Sequence, residues 1–439
     1  MNDVTEQRGL DPLERETMHR VLWRLLPILV LGYFAAYLDR VNVGMAASTM
    51  NHQLGFSNAV FGFGAGLFFL GYFLGEIPSN LVLNVVGARR WLARIMLTWG
   101  IISCLTAFVW GEWSYYTVRI LLGLAEAGFF PGVLLYMTWW FPSYYRSRVI
   151  SIFYSASVVS TIIGPPISGL LLQLQGVAGL AGWQWLFVVE ALPAIIMAFV
   201  FWNLLTDRPD KATWLREDQR TWLAQRVASE MAQREAVRKF SLWQAFRNAS
   251  VWWLALAQIG HSGAIYGMLM FLPLIVQGLG VANSVTIGVV SAIPAAVAFV
   301  ALLLWGWHSD KTGERTWHAA GGWLVGAAGL AACILLRGHP VLMMVFLTIA
   351  MSGAQSATAP YWSVPAALLT GTAAAGGFAL IGAVGNLGGF FAPYVFGLVK
   401  DATGSDYIAL LVLALFPLMA AITVVLAGHD RRMERIPRA

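Results

Sequence analysis

Apolar residues run on for about 20 positions at a time, the length a helix needs to cross the hydrocarbon core of a bilayer, and they do so twelve times along this chain. The spans read as 21–47, 59–85, 92–110, 114–139, 148–173, 183–206, 250–277, 284–307, 317–336, 341–369, 375–400 and 406–427. They are apolar all round and longer than the ~10-residue alternating segments of a membrane β-barrel. The expected fold class is therefore an all-α polytopic membrane protein. Charged residues make up 11% of the 439 positions, against about 25% in a soluble domain, so lipid is the solvent for most of the surface.

One long polar stretch, roughly 207–248, divides the chain. Asp207 with Pro209 reads as a helix stop, and Trp214 to Arg238 as an amphipathic helix. The expected organisation is a first six-helix bundle with its N-terminal arm (1–206), a cytoplasmic linker (207–249) and a second six-helix bundle with its tail (250–439). The first 20 residues are polar and lack the apolar core of a signal peptide. Cys104 and Cys333 fall in different spans and read as packing residues.

An even number of spans puts both ends on one side. Of the 28 Lys and Arg residues, only Arg337 and Lys400 fall in loops of the other side, and only Arg40 and Arg119 in the membrane. Positive-inside bias predicts cytoplasmic termini. The net charge of +6 is a topology signal rather than a mark of nucleic-acid binding.

Six charged residues sit in the interiors of spans, away from their ends, all in the first half: Asp39, Arg40, Glu76, Arg119, Glu126 and Glu190. A charge at mid-bilayer costs roughly 2.5–3.5 kcal/mol by insertion scales, and such residues usually face a polar path for ions or substrate. The span interiors of the second half carry His261, Asn386 and many aromatics, but no formal charge.

The halves echo one another. Asn84-Val-Val-Gly87-Ala-Arg89-Arg90 follows span 2, and Gly306-Trp-His-Ser-Asp310-Lys311-Thr-Gly313-Glu-Arg315 follows span 8. With this repeat the chain resembles a major facilitator superfamily (MFS) transporter. Asn84 stands where that loop motif has Asp, which removes an acidic contact to the next helix terminus. A closer resemblance is to the anion:cation symporter family. It is carried by Tyr37-Leu-Asp39-Arg40-Val-Asn42, Glu76-Ile-Pro78-Ser-Asn80, Arg119-Ile-Leu-Leu-Gly123-Leu-Ala-Glu126-Ala-Gly128-Phe-Phe-Pro131-Gly132, Trp183-Gln-Trp185-Leu-Phe-Val-Val-Glu190 and Gly385-Asn386-Leu-Gly388-Gly389-Phe390. Bacterial permeases for tartrate, phthalate and hydroxyphenylacetate are the most similar branch. The resemblance implies proton-driven import of a small organic anion bound between two rocking bundles of the inner membrane. In span 11, Gly382-Ala383 follows Ala379-Leu-Ile381 where this branch often has Asn-Ser, which favours an aromatic acid.

The resemblance makes Asp39 a second proton-coupling residue and Arg40 an anion contact or gate element, and has Tyr72 line the site. Glu126, an acid in an apolar span with an Arg near it, reads as the first proton-coupling residue. The residues themselves add constraints. Arg119 and Glu126 share a helix face about 10.5 Å apart along the axis, either as a substrate and proton site or as a structural pair. Asp39 and Arg40 point about 100° apart, so one can face the cavity while the other meets a different helix. Glu76 and Glu190 read as structural, Glu190 paired to backbone or to an Arg. Tyr266, Gln258 and Asn386 are candidate ligand contacts, and Ser155 and Ser157 further ones. Trp362, between Pro360 and Pro365, would stack on an aromatic ligand or close the cavity, or else face lipid. His261 reads as a packing residue, with proton relay the alternative.

No phosphate-cradling Gly-x-x-x-x-Gly-Lys-Ser/Thr loop, metal-ligand cluster or catalytic triad is present in the sequence. No enzyme activity and no cofactor beyond the proton gradient are expected. The expected partners are a small organic acid, the proton and the bilayer, with a monomeric protein. An exporter or antiporter of the same fold, and a transporter-like sensor, are the competing readings.

Overall fold

The computed structural model describes residues 11–237, 247–368 and 372–428. Among them, twelve helices are long and apolar enough to cross a membrane: Pro12–Leu54, Asn58–Val86, Ala88–Phe108, Glu112–Trp140, Ser143–Leu172, Gly182–Leu204, Ala249–Gly278, Ser284–Thr312, Thr316–Leu335, Pro340–Pro365, Leu380–Thr403 and Asp406–Leu426. They are numbered spans 1–12 in chain order, and each matches one predicted from the sequence. Arg238, residue 369, the first ten residues and the basic tail lie outside the described residues.

The helix starts are written in the sequence. Asp11 accepts from the Leu13 amide at 3.0 Å with Pro12 in the first position. Asn248 and Asn283 cap spans 7 and 8 through their side chains in the same way. Four spans are divided near mid-depth, span 12 at Ala414. Span 4 divides into Glu112–Glu126 and Phe129–Trp140, where Gly128 takes φ 86°. Span 10 divides after Ser356, and span 11 at Asn386. Non-helical backbone at this depth is tolerated where protein covers it or where it lines a cavity.

The face carrying the N-terminal arm and the 207–237 segment is here called the linker face, and the opposite one the far face. The halves meet from the far face to mid-depth. A Cβ on Gly62 of span 2 would lie 2.2 Å from the Pro393 carbonyl oxygen of span 11, so the absence of a side chain sets that approach. Spans 5 and 8 meet at Gly169 and Ser284, and spans 1 and 7 at Gly44 and Leu269. At the far face the Asp401 carboxylate, at the end of span 11, takes up the free amides at the start of span 2. It accepts from Asn58 N (3.1 Å), Asn58 Nδ2 (2.8 Å) and Ala59 N (2.7 Å).

The segment after span 6 is fastened to the first half. Asp207 Oδ1 accepts from the Arg89 amide at 2.9 Å and packs against Gly87, whose φ is 97°. The acid missing at Asn84 is thus supplied from 118 positions away along the chain from Arg89. Trp214 stacks on Trp140 at 5.4 Å. On the surface helix Glu217–Val237, Glu230 accepts from Ser143 N at 2.9 Å and Oγ at 2.8 Å. In the second half the corresponding loop is closed by its own residues, Arg315 to Asp310 at 2.6 Å.

Candidate functional site

Arg40 of span 1 is the hub. Its Nε donates to Glu126 Oε1 at 2.9 Å and its Nη2 donates to the same oxygen. Its guanidinium carbon lies 5.2 Å from the ring centres of Tyr37 and Tyr72 and 5.5 Å from that of Phe68. Its Nη1 donates to Tyr266 Oη of span 7 at 3.3 Å, a polar bridge between the halves, and Tyr37 is also within hydrogen-bonding reach of Tyr266. Tyr266 in turn packs on Phe69 at 4.4 Å. Glu126 is 1% exposed, and its second oxygen, Oε2, is buried without a hydrogen-bond partner. The break at Ala127–Gly128 places this carboxylate at a helix end.

Arg119 lies across Phe68, 5.2 Å from the ring centre, and donates to the Ala65 carbonyl at 3.4 Å. It shares a helix face with Glu126 as expected, yet the direct partner of Glu126 is Arg40 from another helix. Asp39 points away from this group, into span 3. It accepts from Asn42 Nδ2 (3.1 Å), Trp99 Nε1 (2.8 Å) and Ser103 Oγ. The 100° offset between neighbouring helical residues separates Asp39 from Arg40.

Other candidates have different surroundings. Ser157 Oγ is turned back onto the Tyr154 carbonyl at 2.7 Å. Trp362 stacks on Phe378 at 5.9 Å. Asn386 is half-buried at the break in span 11. Gln258 donates to Ser262 at 3.4 Å. His261 Nδ1 accepts from Trp323 Nε1 at 3.2 Å, and its Nε2 faces Thr358 Oγ1 at 3.5 Å, so neutral partners occupy both ring nitrogens. Glu190 finds Ser168 at 2.7 Å rather than an Arg.

The structure therefore joins Arg40, Glu126, Tyr72 and Tyr266, with Arg119 alongside. It adds Tyr37, Phe68 and Glu76, which sequence reasoning alone does not place at the site. Glu76 lies one turn beyond Tyr72, near enough to act electrostatically on Tyr72 and Arg40, and its Oε2 has no partner. Tyr37, three residues before Arg40, and Phe68, four before Tyr72, are legible as same-face neighbours. Among the described residues no group of three His, Cys, Asp or Glu could hold a metal ion.

Residues 29–393 match the model of the Major Facilitator Superfamily. The chain belongs to this family. It is a multi-pass membrane transporter of a small molecule, and not an enzyme. It is 47% identical over 418 residues to an Agrobacterium vitis protein named "Putative tartrate transporter", covering 94% of this chain and 92% of that one. It is 38% identical over 421 residues to an Acinetobacter baumannii protein named "Quinolone resistance transporter", covering 95% of this MFS chain and 97% of that one. Its fold is similar to that of a solved bacterial homologue of the human lysosomal transporter Spinster, in an inward-facing and unoccupied conformation, with a TM-score of 0.78 at 18% identity, covering 98% of this chain and 100% of that one.

Proposed function

We propose that this protein is a proton-coupled symporter that imports a small organic anion, of the tartrate or aromatic-acid type, by alternating access. The observation that carries the reading is the Arg40–Glu126 pair, in which Glu126 keeps one oxygen unpartnered. A substrate carboxylate matches the planar guanidinium fork of Arg40. Once the substrate takes Arg40, Glu126 is left in an apolar site without its cation. It then binds a proton at Oε2, and anion and proton move together. Tyr72 and Tyr266 offer hydroxyls, and Tyr37 and Phe68 offer faces, to the rest of the ligand. The proton gradient is the only energy source this scheme needs.

The positive-inside bias supports an inner-membrane protein with cytoplasmic termini and linker face. The contacts at the far face then close the outer side. The test is uptake of labelled tartrate, a sugar acid and an aromatic acid into proteoliposomes under an inward proton gradient. Accumulation of at least one acid, dissipated by a protonophore, is the expected result, and no accumulation of any of them ends the proposal. The similarity to a quinolone resistance transporter favours the second reading, an exporter. Proton-driven movement of a quinolone opposite to the proton would select it.

A further inference from the structure

A second buried acid system lies behind the Arg40 group, in the junction of spans 1, 3, 5 and 6. Glu190 of span 6 is 2% exposed and Asp39 of span 1 is 3% exposed. Asn42 stands between them. Its Nδ2 donates to Asp39 at 3.1 Å, and it is within hydrogen-bonding reach of Glu190. The groups around the two acids are known from every side. Span 3 gives Trp99 and Ser103, both donors to Asp39. Span 5 gives Ser168, a donor to Glu190 Oε1 at 2.7 Å. Span 1 also carries Arg40, but its guanidinium is on Glu126. Among the described residues, the charged group acting on Glu190 is Asp39, of like sign.

Hydrogen-bond supply separates the two acids. Asp39 has three donors on two oxygens, which suits an ionised, acceptor-only carboxylate. Glu190 has one donor, and its Oε2 is buried without a partner. So is Asn42 Oδ1. Two unmatched acceptors on neighbouring buried side chains are costly, and a second buried negative charge with no cation is costlier still. A single proton removes both difficulties.

We infer that Asp39 and Glu190 hold one proton between them, that it resides on Glu190 Oε2, and that it is donated to Asn42 Oδ1. Asp39 remains the charged member. This is a proton site apart from Glu126, and it moves the second proton from Asp39, where the family resemblance puts it, to Glu190.

The test is infrared spectroscopy of the full-length protein in lipid at neutral pH, reading the carbonyl stretch of protonated carboxyl groups. The difference between wild type and Glu190→Gln is expected to contain one such band, and the difference between wild type and Asp39→Asn none. Gln reproduces the neutral acid, accepting from Ser168 and donating to Asn42. Glu190→Gln should therefore purify folded with an unchanged melting temperature, and its failure to fold would count against the assignment. Absence of the band, or its loss in Asp39→Asn instead, overturns the inference. An unchanged spectrum in Asp39→Asn together with a lost band in Glu190→Gln supports it. The readout needs no transported substrate, so it can fail or succeed independently of the symport reading.

Discussion

The two halves of the molecule cross the membrane with the same number of helices but bury polar groups in opposite ways. At mid-depth the first half holds acids with incomplete hydrogen bonding: Glu76, Glu126 and Glu190 each keep an oxygen without a partner. The second half holds neutral groups; Gln258, Ser291 and Ser352 also keep an unpartnered oxygen, while others are satisfied. His261 has Trp323 and Thr358, and Tyr361 donates to the Leu254 carbonyl at 2.8 Å. An ion with a vacant acceptor can change partners or take a proton, whereas a satisfied neutral network mainly fixes geometry. On the proposed reading, exchange chemistry belongs to the first half, and the second is the surface it rocks against, reaching across through Tyr266.

Arg40→Ala puts this contrast under the greatest load. It leaves Glu126 buried without its cation, a change worth about 3–5 kcal/mol. Uptake should fall about 100-fold or more, with a lower melting temperature unless Glu126 binds a proton. Uptake within a few-fold of wild type would mean that Arg40 is not the anion contact. Next in size is Glu126→Gln. Accumulation driven by a proton gradient should be abolished while exchange of preloaded substrate survives, as seen by counterflow in the same vesicles. Equal loss of both would move the coupling proton elsewhere.

How much of this is legible in the sequence depends on distance along the chain. The twelve spans are, because apolar length is a local property. So is the divergence of Asp39 from Arg40, which follows from helical pitch alone. The partner of Arg40 is not, since Glu126 lies 86 positions away on another helix. Spacing on one helix suggests Arg119 for Glu126, but Arg119 is drawn across to Phe68 and Ala65 of span 2. Glu76 reads as structural because nothing in its own helix shows that Arg40 is near. The acidic contact expected to be lost at Asn84 is restored by Asp207, a substitution that only the packing of span 6 beside span 3 reveals.

Two smaller effects probe the same difference between the halves. Asp401→Asn weakens charge-assisted hydrogen bonds to the start of span 2, about 1.5–3 kcal/mol in all. It should raise the labelling rate of a cysteine placed at Asn58 several-fold. An unchanged rate would assign far-face closure to helix packing alone. The smallest effect is expected for His261→Gln, whose transport-against-pH profile should stay within about twofold of wild type, because both ring nitrogens meet neutral partners. A displaced profile would give the second half a titrating role and erase the contrast.

Asp207 also governs where the molecule can be cut. Because this residue and the surface helix after it are anchored on spans 3 to 5, the six-plus-six boundary seen in hydropathy is not the boundary of the rigid unit. Chimaeras that trade halves between related carriers should be spliced after Val237. A junction cut at the end of span 6 would give span 3 a foreign cap and strip Trp140 of Trp214. Such hybrids should express poorly for a reason unrelated to what they carry.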